Sequence, residues 1–337
     1  MKKKTMVIAS VLMVAMFATA CGNKATEQQP AAGGQDEQQP KQAETLNISF
    51  ASGGTSGTYY PYANAVAQAW NTNIEGMNCS VEATGASQEN INLVTQGEAE
   101  VAIVQNDVMT YAYEGTENYE GKQTQNFATI GTVYSEVCQI VASPKANITS
   151  VADLKGKRVS VGDIGSGVEA NSRQILAAYG LTFDDIKVQN LGFGPSADAI
   201  KDGSLDAVFV TAGIPTTAVM ELATTHEIDV VALDGDAVEQ LKTDYPFYTE
   251  YTITPDAYKG MEADVLTVSV KATLIVSPDL DEETVYQMTK VLFENKDAIT
   301  TAHSKGAELD PAAAVQGISV VPLHPGAERY YKEVGVL

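Results

Sequence analysis

Residues 48–70 read ISFASGGTSGTYYPYANAVAQAW, and the rest of the chain is organised around them. Ile48 to Ala51 is a short apolar run of strand-forming residues. Gly53, Gly54 and Gly57 follow, with hydroxyl side chains between them. Tyr60, Ala63, Ala67 and Trp70 then recur at helical spacing. The stretch reads as strand, glycine-rich turn, helix. A helix start offers free N–H groups and the positive end of its dipole. Glycines let a ligand reach that backbone, so such a corner suits a phosphate or carboxylate. Gly57 and Thr58 stand where the helix should begin, so their N–H groups are expected to lack helical acceptors. No Gly-Lys-Ser/Thr follows, and the glycine spacing departs from the dinucleotide fingerprint. A tight connection with no ligand fits this stretch equally well.

Working outward, the same grammar returns. Arg158 to Val161 reads as a strand running into Gly162-Asp163-Ile164-Gly165-Ser166-Gly167, and Val168 to Tyr179 reads as a helix. Between and beyond these units short apolar runs alternate with helical stretches, among them Ala128 to Tyr134, Glu136 to Ala142, Ala207 to Val210 and a long helix over Asp281 to Thr301. That alternation predicts a parallel-rich α/β sheet, whose ligands sit at the carboxyl ends of strands. Two glycine turns in separate units predict two lobes facing a cleft. Lobe 1 takes residues 45–135 and 277–337, and lobe 2 takes 136–276. In the first lobe the expected site residues are Ser52, Thr55, Ser56, Gly57, Thr58 and Tyr59. Gln105 and Asn106 follow a strand directly and can read an amide or amino group; simple helix capping is the other reading. In the second lobe Gly165, Ser166 and Gly167 mirror the first turn, and Thr211 and Gly213 follow the strand Ala207 to Val210. Tyr134, Ser135 and Glu136 lie near a crossing, where Glu136 would meet an ammonium group or be a hinge-surface charge.

The first twenty residues carry a positive start (Lys2, Lys3, Lys4), an apolar stretch from Met6 to Phe17 and Ala18-Thr19-Ala20-Cys21. This is the pattern of an export signal. A cysteine at its exit resembles a bacterial lipobox, so Cys21 is the expected lipidation site. Residues 21–44 are rich in Gln, Ala, Gly, Glu and Pro with no large apolar side chain, and read as a disordered tether. The expected location is the outer face of the cell membrane or the periplasm. Net charge is −22, which argues against nucleic acid and anionic lipid surfaces as partners. Cys79 and Cys138 can pair or stay free, and neither has metal-ligand spacing. The three histidines lie far apart, and no Gly-x-Ser-x-Gly, His-Glu-x-x-His or Cys-x-x-Cys occurs. The expectation is therefore no catalytic residue, no metal and no cofactor. A binding protein needs only a cleft and donors.

At this point SGGTSGTYYPYANAVAQAW, ASQENINLVTQGEAEVAIVQND, VADLKGKRVSVGDIGSGVEANSRQILAAYGLT, VYQMTKVLFENKDAI and PLHPGAERYYKEVG stand in an order that resembles the TAXI family of TRAP-transporter solute receptors. The resemblance covers about Leu46 to Gly335, with Ser56 where the family usually has glycine. It implies a type II periplasmic-binding-protein fold that closes two lobes on a solute and delivers it to an ion-driven membrane permease. It implies small organic acids as solutes, glutamate and related amino acids among them. The alternatives are a two-lobed hydrolase or transferase, or a receptor feeding a sensor or an ATP-driven importer.

Overall fold

The computed structural model describes residues 45–318 and 320–337; the export signal, Cys21 and the tether lie outside them. In chain order the elements are β1 (Leu46–Ala51), α1 (Tyr59–Asn73), β2 (Met77–Glu82), α2 (Ser87–Gln96), β3 (Val101–Gln105), α3 (Asn106–Glu114), β4 (Ala128–Ala142), β5 (Arg158–Ser160), α4 (Gly167–Ala178), β6 (Lys187–Gln189), α5 (Phe193–Lys201), β7 (Ala207–Ala212), α6 (Thr217–Thr225), β8 (Asp229–Val231), α7 (Asp236–Asp244), β9 (Thr249–Ile253), β10 (Val265–Val276), α8 (Glu282–Glu294), α9 (Lys296–Ala302), α10 (Pro311–Ala314) and α11 (Pro325–Glu333).

One sheet runs β2-β1-β3-β10-β4-β7-β5-β6, with β9 on β10 and β8 on β4. β1 is parallel to β2 and β3, and β5 is parallel to β6 and β7. The two parallel groups are joined by an antiparallel pair, β4 and β10, in the middle. These two long strands are rich in β-branched residues and buried on both faces over most of their length. Each serves two cores. Tyr134 of β4 and Ala272 of β10 belong to one apolar cluster with Phe50, Trp70 and Leu292. Cys138 and Val270 belong to another with Val159, Ile175 and Phe209. The crossings therefore fall inside the strands, at Ser135–Glu136 and Val270–Lys271, which pair across the ladder. The expected break between Tyr134 and Glu136 is absent, because β4 is continuous.

One other local reading changes, and one of two alternatives is met. The long helix expected over Asp281 to Thr301 divides at Asn295 into α8 and α9. Asp281 begins α8 by accepting the Thr284 N–H, with Glu282 and Glu283 favoured by the dipole in its first turn. Gln105-Asn106-Asp107 is a helix start: α3 begins at Asn106. In the first core Trp70 is fully buried, stacks on Phe50 at 5.6 Å and donates its indole N–H to the Met288 carbonyl at 2.9 Å. Cys79 and Cys138 are both buried and free, one in each core.

Candidate functional site

The carboxyl ends of β1, β2, β5 and β6 each lead into a helix, and four helix starts meet at one cavity of about 200 Å³ between the two cores. At α1 the first helical bond is Tyr62 N–H to the Thr58 carbonyl, so Tyr59 and Tyr60 keep free donors while Pro61 has none. At α5 the first bond is Ser196 N–H to Gly192; Phe193 and Gly194 keep donors and Pro195 has none. At α4 the Ser166 hydroxyl accepts the Glu169 N–H at 3.1 Å, and the Glu169 carboxylate accepts the Gly165 N–H at 2.8 Å. Gly167 and Val168 are left facing the cavity. At α2 Ala86 holds φ 73° and ψ −145°, a region essentially confined to glycine that costs roughly 1–3 kcal/mol to hold. It aims the Ser87 end of that helix inward.

Several bonds tie the cavity walls together across the cleft. Thr58 Oγ1 donates to the Gly213 carbonyl at 3.1 Å, Ala218 N–H to Ser56 at 3.1 Å and Gln88 N–H to Gly165 at 3.2 Å. Deeper, Gln105 Nε2 donates to Asn171 Oδ1 at 3.1 Å. Asn171 Nδ2 donates to Asp107 Oδ2 and to the Tyr248 hydroxyl, both at 2.8 Å. Tyr248 donates to Gln174 Oε1 at 2.6 Å, and Gln174 Nε2 donates to the Tyr111 hydroxyl at 3.0 Å. This buried chain begins on β3 and α3 at Gln105 and Asp107, runs through α4 and Tyr248, and returns to α3 at Tyr111. Burial pushes the Asp107 carboxyl up to about 6.

Glu136 forms part of the cavity wall and is almost wholly buried. Its Oε1 accepts the Tyr59 hydroxyl at 2.5 Å. Loss of water pushes its carboxyl up to about 8, and burial together with Glu136 holds the Tyr59 phenol well above its ordinary range. Gln105 Oε1 is buried there without a donor. Among the described residues no Lys, Arg or His lines the cavity.

Of the residues expected at a site, Thr55, Ser56, Gly57, Thr58, Tyr59, Gln105, Glu136, Ser166, Gly167 and Thr211 line this cavity. Six do not. Ser52 is fully buried and donates to the Glu82 carbonyl. Asn106 turns to the opposite side, bonding Gly317 and Lys271. Ser135 meets Glu308 and Lys271. Tyr134 packs edge-on to Tyr62. Gly165, at φ +77°, shapes the turn behind the wall, and Gly213 serves through its carbonyl. Gly57 lines the wall, but its N–H is spent on Gly54 at 3.0 Å; the Thr58 N–H has no such acceptor, and the free donors begin there. The reading of the chain passed over Thr84 to Ser87 and Gly192 to Pro195, which also line the cavity. Their signal was present: ATGASQ and LGFGPS are glycine-bearing turns between a strand and a helix, like the two that were read.

A model of the NMT1-like family matches residues 50–335. Among solved structures, a protein from Bordetella bronchiseptica RB50 is 18% identical, with 86% of this chain and 89% of that one covered and a TM-score of 0.53. PhnD1 from Prochlorococcus marinus (MIT 9301), in complex with methylphosphonate, is 11% identical over 86% and 99% of the chains, at 0.51. The periplasmic aliphatic sulphonate binding protein SsuA from Escherichia coli is 16% identical over 86% and 84%, at 0.47. The fold is the two-lobed α/β fold of periplasmic binding proteins.

Proposed function

We propose that this chain, which belongs to the NMT1-like family, is an extracytoplasmic receptor that captures a small carboxylate and passes it to a membrane permease. One observation carries the reading: four helix N-termini converge on a cavity that, among the described residues, no cationic side chain lines. The anion's charge is then met by N–H groups and dipoles, each helix start contributing about 0.3–1 kcal/mol when exposed and up to about 2 kcal/mol when partly buried. Closure over the ligand removes water and makes every unpaired donor costly, so shape and hydrogen-bond count select the solute.

The finer reading is a TAXI-type receptor of a TRAP permease, binding glutamate or a related amino or organic acid without converting it. The five sequence blocks in family order support it, as do the free N–H donors at the helix starts on the cavity wall and the absence of any nucleophile–base pair in the residues read from the sequence. Cys21 would carry the lipid that holds the body at the membrane. The direct test is to purify the protein, denature it and identify released compounds by mass spectrometry. A small carboxylate, returned unchanged after incubation with fresh protein, is the expected result. Steady product formation from the bound compound would move the protein to the enzymes. Cys21→Ser is expected to shift the protein from the membrane to the soluble fraction, read by fractionation and immunoblot; retention in membranes would defeat the anchor.

A further inference from the structure

The cavity's donors are accounted for by an anion, but its acceptors are not. Glu136 Oε1 already takes the Tyr59 hydroxyl, and its carboxyl has no cation to pair with on any wall. Gln105 Oε1, from the neighbouring strand β3, is buried with no donor at all. Gln105 Oε1 thus needs a donor from outside the protein, and Glu136 lies in the same chamber with no cation to hold it as a carboxylate. The basic residues nearby are committed elsewhere: Lys305 pairs with Glu308 at 2.6 Å, and Lys271 Nζ donates to Ser135 Oγ at 2.9 Å.

Resting on the receptor reading above, we infer that Glu136 is the residue that selects for an amine on the ligand, and that it does so by giving up a proton when the amine binds. A ligand ammonium carries three N–H donors and one positive charge. It would meet the Glu136 carboxylate and Gln105 Oε1 while the ligand carboxylate takes the helix ends. At neutral pH the buried Glu136 of the free cavity holds its proton. Binding an ammonium converts it to carboxylate, and that proton leaves to solvent. A ligand lacking the amine leaves Glu136 protonated and releases nothing. The other titratable groups that face Glu136 are Tyr59 on α1, Asp107 on α3, and Tyr134 and Cys138 on its own strand. Asp163 lies on the same cavity wall, also raised by burial. The phenols and the thiol stay neutral through this range, which leaves Asp107 and Asp163 as the groups to control.

The experiment uses the mature chain and four pairs of probes that differ by one amine: glutamate and glutarate, aspartate and succinate, leucine and 4-methylpentanoate, serine and 3-hydroxypropionate. Calorimetric titration at pH 7 in buffers of different ionisation enthalpy counts protons directly. The expected result is release of nearly one proton with the amine member and none with its partner. Amine-ligand affinity should rise about tenfold per pH unit from 6 toward 8 and then level. Glu136→Gln should abolish proton release and flatten that rise, cutting the preference for the amine member over its amine-free partner at least tenfold. Asp107→Asn and Asp163→Asn should keep the proton release. Equal loss of both pair members in Glu136→Gln, or unchanged proton release, would overturn the assignment and leave the receptor reading standing. If the wild type bound no member of any pair, the carboxylate-receptor reading would fall, and this inference with it.

Discussion

Gly167→Ala is expected to fold normally and to bind its ligand at least a hundredfold more weakly. Gly167 is the first residue of α4, and a Cβ there would stand well inside van der Waals contact with the Gln105 amide from the opposite side of the cleft. Gln105 cannot step aside freely, because it is buried and bonded to Asn171. The walls must part, and the Gly167 and Val168 donors retreat from the ligand. Leaving two groups unpaired at roughly 1–3 kcal/mol each reaches the ~2.8 kcal/mol that a hundredfold represents. In an open protein the same methyl meets only water, and alanine is the better helix former. Ligand-free melting should therefore hold or rise slightly while calorimetric affinity collapses. Adding Gln105→Ala removes the obstruction and should recover part of the loss. Wild-type affinity in the single variant would mean that closure does not bring Gly167 against Gln105.

Asn171→Ala is expected to weaken binding by about tenfold to a hundredfold at pH 7.5, with a smaller loss at pH 5.5. Asn171 alone links Gln105, Asp107 and Tyr248. Without it, closure buries the Asp107 carboxylate without its side-chain donor, at roughly 1–3 kcal/mol or more for a charged group. The sign follows from the shift. Burial already holds Asp107 up to about 6, and the Asn171 hydrogen bond is one of the contacts pulling it down. Removing that bond raises it further in the closed form. The closed form then gains a proton more readily than the open one, so acid favours closure and the penalty fades as pH falls through the raised value. Affinity measured at both pH values checks this, beside far-ultraviolet melts to establish folding. A loss of the same size at both would separate Asn171 from Asp107.

Local grammar was readable in the chain, and spatial parity was not. A strand, a glycine-bearing turn and a helix declare themselves within about twenty residues, which is why the turns at 52–58 and 165–167 were found. Which neighbour on a strand faces the ligand depends on the pleat. Gln105 looks into the cavity while Asn106 looks toward Lys271 and Gly317. Glu136 lines the wall while Ser135 reaches Glu308. Because β4 is buried on both faces, its hydrophobicity does not alternate and carries no sign of that parity. Tyr134 shares the face of Glu136 yet packs into the first core. The pairing of Gln105 with Asn171 joins residues far apart in the chain, and no short pattern encodes it. Gly57 shows a subtler limit: it stands on the cavity wall, but the turn consumes its N–H internally.

Trp70 is the sole tryptophan of the chain, and its location decides what an optical titration can see. It sits eleven residues into α1 from Tyr59, roughly 16 Å along the helix axis from the cavity. Its ring is sealed against Phe50 and its N–H is held by Met288. Neither Phe50 nor Met288 belongs to the cavity wall. Intrinsic emission will therefore follow the melting of one half of the molecule and stay flat during ligand addition, so a silent fluorescence screen would discard true ligands. A reporter dye at Ile164, which is largely exposed on the turn bordering the cleft, would register what the indole does not.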